Sequence, residues 1–206
     1  LLSTIDVANH MLNGSATTNY GNGEFATLQV ADTVATNQAV ETLIKKEQKY
    51  EFTLTTRSTN SFSFKISAAG EFVVDWGDGT VETITKPNTT STRYSHTYST
   101  SKSYTIKLTG QATAYNTDKY TATISFGASS YQIASIDGSL GAIFGTLPDA
   151  TEKQPRFYRT FYDAFNMKGS IPSDLFAGIS GAPASSMFNS TFYGCSDLTG
   201  AIPDGL

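Results

Sequence analysis

The sequence has one cysteine, Cys195, and one tryptophan, Trp76. An intrachain disulfide is therefore impossible, and a metal site built on several thiolates is excluded. Cysteine usage gives no reading of compartment. Charge is also scarce, at 16% of residues against roughly 25% in ordinary domains. The 14 Lys and Arg are scattered, and the net charge is −4. A phosphate backbone needs several cations on one face, so neither nucleic acid nor an anionic membrane surface is an expected partner. No apolar run approaches the roughly 18–20 residues of a membrane-spanning helix. The sequence has no H-E-x-x-H, no G-x-S-x-G, no phosphate-binding loop and no dinucleotide fingerprint. "GNGEFA" from Gly21 is too short to count as one. These absences leave no constellation for an enzyme, and no catalytic residue, metal or cofactor is expected. The chain begins at Leu1 without a signal-peptide pattern and reads as a piece of a longer protein.

Ser, Thr, Gly, Asn and aromatic residues fill the space left by charge. That mix suits short strands and turns. Apolar residues make up 39% of the 206-residue chain, enough to fill a core.

Three textures follow one another. Residues 1–47 are mixed and polar, with two short helical patterns. "IDVANHMLNG" stops at Gly14, and "NQAVETLIKKEQ" spaces Val40, Leu43 and Ile44 as a helix does, with Asn37 as a candidate cap. Residues 48–126 read as strands. "YEFTLTT", "SFSFKIS", "EFVVDW", "TVETIT", "RYSHTY", "SYTIKL" and "YTATISF" are short, alternating, and rich in Thr, Tyr, Phe, Val and Ile. Turn residues separate them at intervals of about ten, which predicts a β-sandwich of about seven strands.

Residues 127–206 contain a repeat. "TFYDAFNMKGSIPSDLF" from Thr160 matches "TFYGCSDLTGAIPDGL" from Thr191 at an offset of 31 residues. Phe161 aligns with Phe192, Met167 with Leu198, Gly169 with Gly200, Ile171 with Ile202, and Pro172 with Pro203. A weaker copy, "GTLPDA", begins at Gly145. One such unit cannot bury its own apolar face, so the copies must stack as a solenoid. Phe157, Phe161, Phe188, Phe192, Ile171, Ile202, Met167 and Leu198 are expected to face its core. Cys195 aligns with Ala164, the position of a small buried residue.

The stretch "FVVDWGDGTVETIT" from Phe72 places two carboxylates among glycines. Asp78-Gly79 reads as a two-residue hairpin turn, with Gly77 adding a sterically free position. Asp side chains in such turns accept bonds from nearby backbone N–H groups. Calcium would need encircling ligands, and the EF-hand spacing is absent. A glycosidase would need two separated acids across a groove. Neither pattern is present.

Together, "DWGDGT" (75–80), "SHTY" (95–98) and "SYTIKLTG" (103–110) resemble the PKD domain, an immunoglobulin-like sandwich. The resemblance covers about residues 48–126. It implies a structural signature formed by Asp75, Trp76, Gly77, Asp78, Gly79, His96 and Tyr98, with Asp75, Asp78 and His96 tying the hairpin to the "SHTY" strand. "MFNSTFYGCSDLTGAIPDG" (187–205), with its looser copy from Arg156, is similar to leucine-rich-repeat-like units of bacterial surface proteins. In such proteins these units often follow a PKD-like module. The segment "YQIASIDGSLGAIFGTLPD" (131–149) is expected to cap the array. The fold implied is mainly β, a PKD-like sandwich then a leucine-rich-repeat-like solenoid, with a short, partly helical N-terminal region.

The two resemblances imply a non-catalytic protein, extracellular or on the bacterial cell surface. The sandwich would be a spacer, and the repeats would present a surface to a protein or glycan ligand. Tyr158, Tyr162 and Tyr193 are its candidate binding residues. The alternative is a subunit of a surface layer or filament that self-associates.

Overall fold

A computed structural model describes residues 51–200 and 202. The helical patterns expected in residues 1–47 lie outside the described residues. Those described fall within one compact unit, Tyr50–Leu206.

The fold is mainly β. Its strands are β1 (Phe52–Thr56), β2 (Thr59–Ile66), β3 (Ala68–Asp75), β4 (Val81–Lys86), β5 (Thr92–Lys102), β6 (Thr105–Tyr115), β7 (Ile124–Ser125) and β8 (Ile133–Gly138). They form two antiparallel sheets, with orders β4-β3-β6-β1-β8 and β5-β2-β7. β1 shows why the pattern is legible: Phe52, Leu54 and Thr56 are buried and the residues between them are not. Period-2 alternation puts one set of side chains on the core face. Phe62, Phe64 and Ile66 from the second sheet join Phe72 and Val74 from the first, and Trp76 just beyond β3, in one core cluster. Each large apolar side chain buried in this way contributes roughly 1.5–3 kcal/mol.

Seven of these strands fall in the seven stretches the sequence marks. The eighth lies beyond residue 126, where the sequence places the end of the sandwich. β8 pairs with β1 along its length, from Phe52 opposite Gly138 to Thr56 opposite Ile133. It lies within the segment expected to cap a separate array. Its apolar residues do not alternate because a bulge opposite Thr55 and Thr56 leaves Ala134 as an extra residue in β8. Ile133 and Ile136 therefore both face the core, three residues apart.

Beyond β8 the chain runs in successive turns, and these continue both sheets. Beside β7, the Phe126 N–H donates to the Thr160 carbonyl (3.0 Å), and the Thr160 hydroxyl donates to the Ile124 carbonyl (2.8 Å). Beside β8, the Lys168 N–H donates to the Ala134 carbonyl (2.8 Å). The next layer keeps a constant offset. Phe157, Arg159, Phe161 and Asp163 donate their N–H groups to the carbonyls of Met187, Asn189, Thr191 and Tyr193, at 2.7, 3.1, 2.9 and 2.8 Å. The Thr191 hydroxyl bonds the Phe157 carbonyl (2.8 Å), repeating the role of Thr160 one turn earlier. Gly169 and Leu198 form a parallel bridge.

Rings follow the same stack. Phe52 packs on Phe126, Phe126 on Phe161 and Phe161 on Phe192, with centroids 5.9, 5.4 and 5.4 Å apart. Phe157, Phe161 and Met167 are fully buried, and Ile171, Phe192 and Leu198 are partly buried against the same core. Phe188 and Ile202 depart from the expectation, at 38% and 73% exposed. They lie on the last described turn, and no further turn covers them among the described residues. Among the described residues, no helix is long and apolar enough to cross a membrane.

Candidate functional site

The β3–β4 connection brings the signature residues together. The Trp76 N–H donates to the Thr80 carbonyl (2.9 Å), closing a loop of Gly77, Asp78 and Gly79. This differs from the two-residue Asp78-Gly79 turn expected. Only the glycines take positive φ, at 81° for Gly77 and 95° for Gly79. A side chain at Gly77 would run into the Thr105 carbonyl on β6, so this position requires glycine twice over.

Each aspartate bonds the backbone two residues on. Asp75 accepts from the Gly77 N–H (2.9 Å) and Asp78 from the Thr80 N–H (3.0 Å). The second oxygen of Asp78 lies 2.8 Å from His96 Nε2, on β5 of the other sheet. The His96 contact and the Thr80 N–H hold the Asp78 carboxyl down at about 2.

Trp76 is buried, with its ring stacked on His96 (5.1 Å, 15°) and against Phe64 (5.6 Å). Its indole N–H reaches Glu82 (3.2 Å). The Tyr98 hydroxyl donates to the Trp76 carbonyl (3.0 Å), and its ring stacks on Tyr104 at 3.6 Å. Burial, with Asp78 nearby, pushes the Tyr98 phenol well above its ordinary range. Both oxygens of Asp78, and one each of Asp75 and Glu82, are thus bonded within this cluster. Among the described residues, no group of three or more His, Cys, Asp or Glu side chains is placed to hold a metal.

The three candidate tyrosines lie on the turns. Tyr162 and Tyr193, one repeat apart, stack face to face (5.0 Å, 11°). Tyr193 is 62% exposed, and Tyr158 and Tyr162 are half-buried. Tyr158 does not touch that pair directly. The Arg159 guanidinium lies between them, 5.2 Å from the Tyr158 ring centre and 4.8 Å from that of Tyr162. Tyr120, from the β6–β7 connection, packs on Tyr158 at 5.7 Å.

Sequence reasoning missed Arg159 and Tyr120. Repeat alignment sets Arg159 against Ser190, which gives no hint of a shared function. Tyr120 falls in a stretch read as strand, and only the fold brings it to the turns. Cys195 is half-buried, with its thiol donating to the Phe161 carbonyl (3.1 Å). Burial pushes that thiol up to about 11.

No protein-family model, curated protein or solved structure matches the chain.

Proposed function

We propose that this chain is a non-catalytic binding or adhesion protein of the cell surface or the secreted space. Its two sheets act as a PKD-like sandwich that serves as spacer, and its turns act as a leucine-rich-repeat-like solenoid that presents a ligand surface. The observation carrying this reading is the constant offset of hydrogen bonds from residues 157–163 to residues 187–193. A stack of this kind repeats side chains at fixed spacing over an extended face. The acidic hairpin supports the same reading from the other side, because Asp75 and Asp78 each bond the backbone of their own turn.

The test is binding of the purified chain to intact cells and to immobilised glycans and proteins, with its size measured in parallel. Deleting the repeats would be a poor probe, since a cut at residue 127 removes β8 from the sheet. Substitutions on the exposed face are the better tool. A monomer that binds, with loss on substituting Tyr158, Tyr162 or Tyr193, supports adhesion. Assembly into large species without ligand binding would replace it with a self-assembling layer or filament subunit. A monomer that binds nothing would overturn both.

A further inference from the structure

The aromatic row on the turns carries two cations, Arg159 and Lys119, with the Asp118 carboxylate beside Lys119. Arg159 is exposed and rests on two tyrosine rings. Lys119 is exposed and lies 4.7 Å from the ring centre of Tyr120. Among the described residues, neither cation forms an ion pair with a carboxylate, although the chain is acidic overall. Lys119, Tyr120, Tyr158, Arg159, Tyr162 and Tyr193 are joined in that order by ring and cation contacts of 4.7–5.7 Å.

The fold does not require Arg159. The equivalent position one turn on is Ser190, with the same left-handed backbone, φ 58° against 52°. Arginine and serine therefore meet the same backbone strain at this position, and the side chain is free to differ. A guanidinium lying on a ring keeps its N–H fork in its own plane, where it matches a carboxylate or sulfate with two bonds.

At the turn that carries Arg159, the backbone does not compete as the binding element. The N–H groups of Arg159, Phe161 and Asp163 are already donated to the next turn. A peptide adding as a strand finds no free edge at that inner turn. What is offered is the outer face of Tyr193, the exposed edges of the rings stacked behind it, and two cations. Phenol rings give large contact area at low entropic cost, and the apolar faces of pyranose rings pack on them.

We infer that this row binds an acidic oligosaccharide, with a sugar ring on the outer face of Tyr193 and carboxylate or sulfate groups on Arg159 and Lys119. The inference rests on the adhesion reading above and names its ligand.

The test titrates the whole chain with heparin, with polygalacturonate and with neutral dextran. Binding to one or both acidic polymers is expected, weakening as salt rises, with dextran inert. Binding to polygalacturonate shows that carboxylates suffice, and binding to heparin alone assigns the contact to sulfate. Arg159→Gln and Tyr193→Ala should each weaken binding by about tenfold or more at unchanged melting temperature. Lys107→Gln, at an exposed cation paired with Glu51 on the sheet, should leave it unchanged. Should Arg159→Gln fold poorly, Lys119→Gln replaces it. Equal losses in Lys107→Gln and Arg159→Gln would mean unspecific charge attraction and overturn the inference, as would unchanged binding in both row variants. A chain that binds cells, proteins or dextran but neither acidic polymer overturns it while leaving adhesion standing. A chain that binds nothing overturns both.

Discussion

The rings of Phe126 and Phe161 stack 5.4 Å apart at 17°. The first follows β7 at the edge of the smaller sheet, and the second belongs to the repeat. Phe52 of β1 touches both, at 5.9 and 6.2 Å. One aromatic column therefore passes from strand to repeat, and the sheets and turns share a single core cluster.

Such a column couples the two regions in unfolding. Phe161→Ala removes a fully buried ring and is expected to cost about 3–5 kcal/mol. Trp76, the one tryptophan, reports on the β3–β4 hairpin from within the sheets. The urea midpoint read by its fluorescence should fall with this variant, although the substitution lies in the repeat. An unchanged Trp76 transition would mean that the sheets and turns unfold independently.

The Asp78–His96 contact makes stability depend on acid. The folded carboxyl titrates near 2, below its ordinary 3.8. A group whose pKa is depressed by folding contributes stability that is present above its unfolded value. That contribution fades as pH falls through the folded value. The loss should run from about pH 4 down to about pH 2. Asp78→Asn should therefore melt below the wild type at pH 6 and approach it at pH 2. His96→Ala should raise the Asp78 pKa, measurable by carboxyl NMR titration. A constant gap between Asp78→Asn and wild type across this range would assign the pH dependence to other groups.

Strand positions were legible because Thr, Tyr, Phe, Val and Ile alternate between turn residues in β1 to β6. β8 was not, because the bulge opposite Ile133 destroys the period that would announce it. The repeat was legible as a 31-residue self-match, and it located Phe161 and Met167 in the core. It could not show that the first turn docks on strand edges, because that depends on long-range pairs such as Ala134 with Lys168. The signature residues stood out as a motif. The aromatic row did not, since Tyr120 and Tyr158 meet only across a 38-residue separation.

Arg156 pins the β6–β7 connection to the turns. It is 5% exposed and donates to the Asn116 carbonyl (2.8 Å), the Ser185 carbonyl (3.2 Å) and Glu152 (2.8 Å). Arg156→Met keeps the stem but strands two carbonyls and a partly buried carboxylate, at a cost of about 2–4 kcal/mol. Glu152→Gln retains a hydrogen-bond acceptor and should cost less. Denaturation midpoints of the two variants give the comparison, and equal losses would locate the energy in the ion pair rather than in the carbonyl bonds.

Cys195 offers a test of packing at the outer turn. Its thiol bonds the Phe161 carbonyl, and burial holds its pKa at about 11. At pH 8 the thiolate fraction is then small, roughly one part in a thousand, and attack on a disulfide reagent requires the thiolate. Labelling of the folded chain should be far slower than in denaturant, and should accelerate as pH rises toward 11. Cys195→Ala installs the residue found at Ala164 one turn earlier and should lower stability by no more than about 1 kcal/mol. Rapid labelling at pH 8 would show that the outer turn opens readily, and that the stack is loose where Phe192 packs on Phe161.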